Sequence, residues 1–412
     1  MRIKLKIFLI SLASFFSIYL NFFGIEQFDN RNDVSIIKED ECVINIRGGL
    51  GNNMFQYAAA YVYTQKHNKK LKLSGRYERF IETFSLPEEK IKNLLHPINT
   101  SYSERNMKNN FAKEINNPRY QFLDGYFQNE LFFKEYRADI LKRFKFKVPL
   151  EGENKKLADE IKDKNAISVH IRRGDYFKHA KNDLLSNHYY LLAMDYMASK
   201  VKNPYFYIFS DDTEWVKNNL KVQYEHRVVE NNRSGVAAND MRLMSLCKHH
   251  IIANSTFSWW GAWLNENPNK MVIAPRVWLT NKQAYEDTKD VVPNDWIRMK
   301  EKADIAIVFL SDNHNGASEK SFNKHFLPFD RKKYFTKNEL GEVDFKSLDY
   351  LFIVKKPFIL SKEVNYQVVP YKEGVLYFSF DGQNFVAGSL NTNDVIAIKA
   401  PISLEYIKSI IE

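Results

Sequence analysis

Short apolar runs alternate with longer amphipathic stretches over most of this chain, and the alternation predicts its elements. Val43–Ile46 reads as a strand, Gly48-Gly49-Leu50-Gly51-Asn52-Asn53 as the turn after it, and Met54–Gln65 as a helix. Further on, Gln121–Tyr126 reads as a strand with its exit turn and Phe132–Phe144 as a helix. A second series starts near Glu151 with helix Lys155–Lys162 and strand Ala166–Val169, which runs into the turn Arg172-Arg173-Gly174-Asp175. It continues with helix His188–Ser199, strand Tyr205–Phe209, the capping run Ser210–Thr213 and strand Arg227–Val229. Helix Asp240–Cys247, strand His250–Ala253, helix Ser258–Leu264 and strand Met271–Ala274 complete it. Repeated strand-then-helix order predicts an α/β fold with parallel sheets covered on both faces. Two such series predict two lobes with a central cleft.

The texture changes near Lys300. Ile305–Leu310, Tyr350–Val354, Val375–Phe380 and Asp394–Ile398 read as strands, with a turn at Asp381-Gly382. At the other end, Arg2, Lys4 and Lys6 precede an uncharged run from Ile7 to Ile25. A helix of that length comes close to crossing a bilayer core of about 30 Å. The run is long for a signal-peptide core and lacks a small-residue cleavage site, so an uncleaved anchor is favoured over a signal sequence. The expected division is an anchor at 1–26, a linker at 27–42, lobes at 43–149 and 150–298, and a β-rich α/β extension of unknown role at 299–412.

Composition narrows the partners. Hydrophobic residues make up 44% of the chain, enough for packed cores, which argues against wholesale disorder. A formal charge of +10 favours anionic partners. No basic block with interleaved aromatics marks a nucleic-acid track. The two cysteines, Cys42 and Cys247, form neither a disulfide framework nor a metal pair.

Candidate chemistry lies at the turns. Val169-His170-Ile171-Arg172-Arg173-Gly174-Asp175-Tyr176 ends a predicted strand, where open α/β sheets bind ligands. Arginine suits paired hydrogen bonds to phosphate oxygens, although a solvated Arg–Asp pair on a turn would read the same way. The glycines at 48, 49 and 51 would let a ligand approach a helix start, or form a tight turn. Asn254-Ser255-Thr256-Phe257-Ser258 reads as an anion cradle at a helix N-terminus or as an ordinary N-cap. Asp240 would cap a helix or accept hydrogen bonds from a ligand. Asp211-Asp212 is explained as helix capping rather than metal binding. His170 and His179 read as structural.

Together these segments resemble the bacterial-type, GDP-fucose-dependent α-1,2-fucosyltransferases of glycosyltransferase family 11. The resemblance rests on Gly48–Tyr57, His170–Tyr176, and Ser245-x-Cys247-x-His249 followed by Asn254–Trp260, with Asp124-Gly125-Tyr126-Phe127-Gln128 between them. It runs from about Val43 to Trp296; the anchor and the tail lie outside. It implies a GT-B-like pair of Rossmann-like lobes and transfer of L-fucose from GDP-fucose to the 2-hydroxyl of a galactose-type acceptor, with inversion and without metal or other cofactor. The second lobe would hold the donor and the first the acceptor. Arg172 would hold the donor phosphates. His170, Arg173, Asp240, Ser255 and Thr256 would line the GDP site, with Asn52 reaching in from the other lobe. Asp175 is the first candidate for the base, with Asp124 and Glu130 behind it, although Asp175 would serve equally to hold an arginine. The implied partners are GDP-fucose, a galactose-containing glycan and a membrane engaged through residues 7–25, with no nucleic acid. The anchor implies Golgi-type topology in a eukaryote and attachment to the cytoplasmic membrane in a bacterium. Two other readings stand beside this one: a GDP-sugar transferase with a different acceptor, protein or sugar, and a membrane-tethered glycan-binding protein without activity.

Overall fold

The computed structural model describes residues 34–35, 37–91, 93–94, 100–103, 115–174, 183–232, 237–280, 288–310, 316–325, 330–355, 374–380, 385–387, 395–399 and 407. The run Ile7–Ile25 lies outside them, as do Asp175, Tyr176, His179 and the Asp381-Gly382 turn. Among the described residues no helix is long and apolar enough to cross a membrane.

The first sheet contains β1 (Glu41–Ile46), β2 (Lys70–Gly75), β3 (Glu89–Lys90), β4 (Ser101–Ser103) and β5 (Phe122–Asp124) in the order β3-β2-β1-β5-β4. All its pairings are parallel. The residues read as linker are partly ordered strand: Glu41 opens β1, and Val34–Ser35 pairs with Asn93–Leu94 in a separate two-stranded sheet. Helix α1 (Leu50–Lys66) connects β1 to β2 and is buried on almost every side from Gly51 to Thr64. Its sequence, Met54-Phe55-Gln56-Tyr57-Ala58-Ala59-Ala60-Tyr61-Val62, is apolar on every face but for Gln56, as a helix enclosed between two layers requires. The predicted helix Phe132–Phe144 is shorter. Two 3₁₀ turns, Glu130–Phe132 and Lys134–Tyr136, lead into α2 (Arg137–Arg143).

The second sheet follows α3 (Gly152–Asp163). Its elements are β6 (Asn165–Ile171), α4 (Asn187–Lys200), β7 (Pro204–Ser210), α5 (Thr213–Asn219), β8 (His226–Val228), α6 (Ala237–Leu246), β9 (His249–Ile251), α7 (Thr256–Trp263), β10 (Val272–Pro275) and β11 (Ile297–Met299). The strands lie in the order β8-β7-β6-β9-β10-β11, all parallel. Numbered by their place in this lobe, that is 3-2-1-4-5-6, the Rossmann order, whose direction reverses between β6 and β9. The lobes are therefore Rossmann-like parallel layers, as the strand–helix alternation predicts.

Aromatic side chains join the two lobes. Phe55 of α1 packs on Trp259 at 4.4 Å and Trp260 at 5.0 Å between ring centres, and Phe133 stacks on Trp260 at 5.4 Å. Trp259 and Trp260 are fully buried. Each buried aromatic contributes roughly 150–250 Å² of hidden surface, which makes this seam a core rather than a loose contact.

The tail forms a third sheet. Its strands are β12 (Asp304–Phe309), β13 (Arg331–Thr336), β14 (Tyr350–Val354), β15 (Gly374–Phe380), β16 (Phe385–Ala387) and β17 (Val395–Lys399), in the order β13-β12-β14-β17-β15-β16. Helix α8 (Gly316–His325) makes the parallel crossover from β12 to β13. One apolar cluster runs from Ile167, Val169 and Met194 of the second lobe to Ile305, Ile307 and Phe352 of this layer. Lys300, between Asp304 and Asp349 at 2.6 Å from each, ties the junction electrostatically.

Candidate active site

The sequence order brings two turns to the point where the second sheet reverses. One follows β6 and carries Arg172, Arg173 and Gly174; the other follows β9 and carries Asn254 and Ser255. Strand β6 runs two residues beyond its prediction, so His170 and Ile171 belong to the sheet and the turn begins at Arg172.

Asp211, at the end of β7, organises the first turn. Its carboxylate accepts the backbone N–H groups of Arg173 at 2.9 Å and Gly174 at 3.1 Å, and pairs with the Arg172 guanidinium at 2.7 Å. Its neighbour Asp212 is the cap of α5, accepting the N–H of Trp215 at 3.1 Å. Capping therefore explains only one of the adjacent aspartates. The other holds the arginine turn, a role legible only once its strand is known to lie beside β6.

The two arginines separate. Arg173 is 5% exposed, with its guanidinium 3.5 Å over the Trp215 ring and beside Asp212. The side chain of Arg172 is one-third exposed at the carboxyl edge of the sheet. Of the pair, Arg172 is the one that a ligand in the cleft reaches. His170 is 5% exposed, packs 5.6 Å from the Phe257 ring, and has an Nδ1 atom without a hydrogen-bond partner among the described residues. Burial pushes its pKa down to about 4, against the attraction of Asp211, so the ring is neutral at pH 7.

Ser255 is the N-cap of α7, yet its side chain caps nothing; nor does any side chain cap α1 at Gly49. Neither helix has an acidic residue in its first turn. The two starts meet: a Cβ on Gly51 would lie 2.5 Å from the carbonyl carbon of Thr256. Gly51 is thus a glycine because a second helix, not a ligand, approaches it. First-turn N–H groups lack partners within a helix, and each start carries about half a positive charge. Bringing two together without a carboxylate in either first turn leaves a positive focus at the seam of the lobes, beside Asn52, Ser255, Thr256 and, through Phe257, His170. Asn52 is held by Gln128, whose amide donates to its Oδ1 at 2.9 Å. The glycine turn itself is fastened by Gln56, which accepts the N–H of Arg47 and donates to the Gly125 carbonyl.

The remaining candidates stand on other elements. Asp240 is the fourth residue of α6, not its cap, because that helix starts at Ala237. It accepts from Asn232 at 2.7 Å, and burial raises its pKa to about 6 from an ordinary 3.8. Folding therefore disfavours its ionised form. That penalty is absent below about pH 4 and complete above about pH 6. Asp240→Asn is expected to match the parent near pH 4 and to exceed it above pH 7 by an amount on the order of 2–3 kcal/mol. Denaturant unfolding at both pH values checks this, and a pH-independent difference removes the buried carboxylate as its source. Asp124 is engaged by Arg47 at 2.7 Å and Asn45 at 3.0 Å, at the carboxyl edge of the first sheet. Glu130 meets the indole N–H of Trp263 at 3.3 Å, at the far end of α7, roughly 10 Å along the helix from Thr256. Burial raises its pKa.

With this geometry in hand, the comparisons with known proteins are specific. The model of glycosyl transferase family 11 matches residues 30–300, so the third sheet falls outside it. The chain is 32% identical over 291 residues to an alpha-1,2-colitosyltransferase of Escherichia coli, covering 63% of this chain and 98% of that protein. It is 25% identical over 240 residues to galactoside 2-alpha-L-fucosyltransferase SEC1 of Bos taurus, covering 54% and 63%. Among solved structures it is similar to the fucosyltransferase NodZ from Bradyrhizobium, with 13% identity, 55% and 93% coverage and a TM-score of 0.37.

Proposed function

Because the chain belongs to glycosyl transferase family 11, we propose that it transfers L-fucose from GDP-fucose to the 2-hydroxyl of a galactose-type acceptor, inverting the anomeric centre. The lobes would work as a GT-B pair, with the donor on the second and the acceptor on the first. The observation that carries the reading is the meeting of two uncapped helix starts beside the Arg172 turn. An anion satisfies all three at once, and a nucleotide diphosphate supplies it.

In the proposed reaction the acceptor oxygen attacks the anomeric carbon from the face opposite GDP. The bond from that carbon to the phosphate oxygen breaks, and its electron pair stays on GDP. Charge grows on the diphosphate as the bond lengthens. Donors already fixed in place stabilise that growth without reorganising. Arg172, held by Asp211, and the first-turn N–H groups of α7 take this role, which needs no metal in the proposed scheme. His170, Arg173, Asp240, Ser255 and Thr256 are proposed to shape the GDP site, with Asn52 facing the fucose. The acceptor proton goes to a carboxylate, proposed as Asp175, next in sequence to the arginine turn. Membrane attachment through residues 7–25 is part of the same proposal.

The test is incubation with lactose and GDP-fucose in EDTA, with a parallel arm using the GDP-activated form of colitose, the sugar named by the Escherichia coli relative. An α-1,2-linked fucosyl product with GDP release supports the reading. Product only from the colitose donor keeps the chemistry and changes the sugar. No product in EDTA, with product restored by a divalent cation, overturns the metal-free scheme.

A further inference from the structure

A cavity of about 220 Å³ opens at the carboxyl ends of β10 and β11, lined by Arg276, Trp278, Thr288, Lys289, Val292 and Arg298. Among the described residues of the lining three are cationic and none is acidic. Arg298 donates one guanidinium N–H to the Val292 carbonyl at 2.8 Å, which orients the group. Arg276 has a carboxylate neighbour in Glu301, 3.7 Å away, but Glu301 lies closer to Arg331, at 3.0 Å. The buried side chains of Trp278 and Val292 floor the space, while the three cations are exposed at its margin.

We propose that this cavity is an anion subsite that takes an acidic group of the acceptor glycan. The proposal rests on the transferase reading above and names a substrate class for it. Two observations relate the cavity to the donor turns. First, β10 and β11 are the next strands of the same sheet after β9, so at about 4.8 Å per strand the cavity lies on the same carboxyl edge roughly 5–10 Å from the turn after β9 and roughly 10–14 Å from the arginine turn after β6. Second, its wall is fastened to the donor segment, so the acidic group would be met on the second lobe where the glycan reaches across the cleft from the first. The Asn254 amide donates to the Trp278 carbonyl at 2.9 Å and to the Asp183 carbonyl at 2.8 Å. Asp183 in turn accepts both the N–H and the hydroxyl of Thr280 at 2.7 Å. The cavity wall and the donor segment are therefore directly hydrogen-bonded to each other. A carboxylate or phosphate one or two sugars from the reacting galactose falls within that reach. Arginine pairs with either anion through two parallel hydrogen bonds.

The test compares two acceptors that differ in one charge, galactosyl-glucose and galactosyl-glucuronate, with the full chain. The expected result is a kcat/KM about tenfold higher for the glucuronate, the scale of one hydrogen bond to a charged group. In Arg298→Gln and Lys289→Ala that advantage falls below about twofold, while lactose turnover and GDP affinity hold. Equal use of both acceptors by the parent chain overturns the proposal, as does a preference that survives in both variants. A fall in GDP affinity in the variants also overturns it, by assigning the cavity to the donor. If neither acceptor reacts, the transferase reading has failed on its own, and sulfate added to GDP-loaded protein decides the cavity. A rise in melting temperature for the parent but not for Arg298→Gln supports the subsite; equal rises overturn it.

Discussion

Arg172→Ala is expected to lower kcat/KM for transfer by about a thousandfold while leaving the melting temperature within a few degrees of the parent. The two halves of that expectation have separate causes. Arg172 pairs with Asp211 at 2.7 Å, and both side chains are partly exposed. Such a pair contributes about 0–1 kcal/mol to stability, and Asp211 keeps its two backbone donors when the guanidinium is gone. The fold has little to lose. In the proposed reaction the same guanidinium faces charge that grows as the sugar leaves. Removing one such donor from a preorganised site costs roughly a hundred- to a thousandfold, and here the missing donor carries a full charge. Arg172→Lys separates charge from shape. It restores a cation without the planar fork, so recovery of a small fraction of the rate is expected. The measurement is steady-state transfer with both substrates varied, paired with thermal unfolding. Activity within tenfold of the parent would remove Arg172 from the phosphate role; a melting temperature lower by tens of degrees would make the activity loss uninformative.

How much of this was legible in the chain follows from which interactions are local. Strand β6 was legible because Ala166–Val169 is apolar at all but Ser168, and its end was misplaced because His170 is a polar letter at a buried position of the sheet. Strand β2 was not singled out because Lys70 and Lys72 interrupt its pattern. In the fold Lys72 lies between Glu41 and Glu89 of the flanking strands, at 2.9 and 3.1 Å. The arginine turn and the serine-threonine helix start were legible as anion sites because helix N-termini and glycine turns write local signatures. Asp211 was not, since the meaning of an aspartate at the end of β7 depends on which strand lies alongside. A Rossmann order places an acidic residue at the end of its second strand against the ligand crevice, and that position was the available signal. The sequence leaves Gly51 open between room for a ligand and a tight turn for the same reason, because Thr256 comes near it only after both lobes have folded.

Gly51→Ala carries the second large expected effect, and competing magnitudes decide its sign. Within an isolated helix the change favours folding by up to about 1 kcal/mol. Here the added methyl would meet Thr256 backbone atoms at 2.5 and 2.6 Å and the Phe257 nitrogen at 2.7 Å, well inside van der Waals contact. Backbone cannot rotate aside as a long side chain does, so α1 and α7 must part by about 1 Å. Overpacking of this kind costs roughly 1–3 kcal/mol, which outweighs the gain in propensity and, in a chain of 412 residues, lowers the melting temperature by about 1–3 °C. The larger consequence is functional. The parted helix starts carry Asn52 on one side and Ser255 and Thr256 on the other, so the proposed donor cradle opens along the seam. A displacement of 1 Å between groups that act together costs on the order of a hundredfold in rate. Gly49→Ala provides the contrast, because a Cβ at Gly49 would meet nothing within 4 Å. Stability is expected to hold in Gly49→Ala and to fall in Gly51→Ala, with transfer down about a hundredfold in the latter. Equal melting temperatures for the two variants would mean that the helices accommodate the methyl, and any activity they then lost in common would return the glycine turn to the role of a surface that the ligand itself touches.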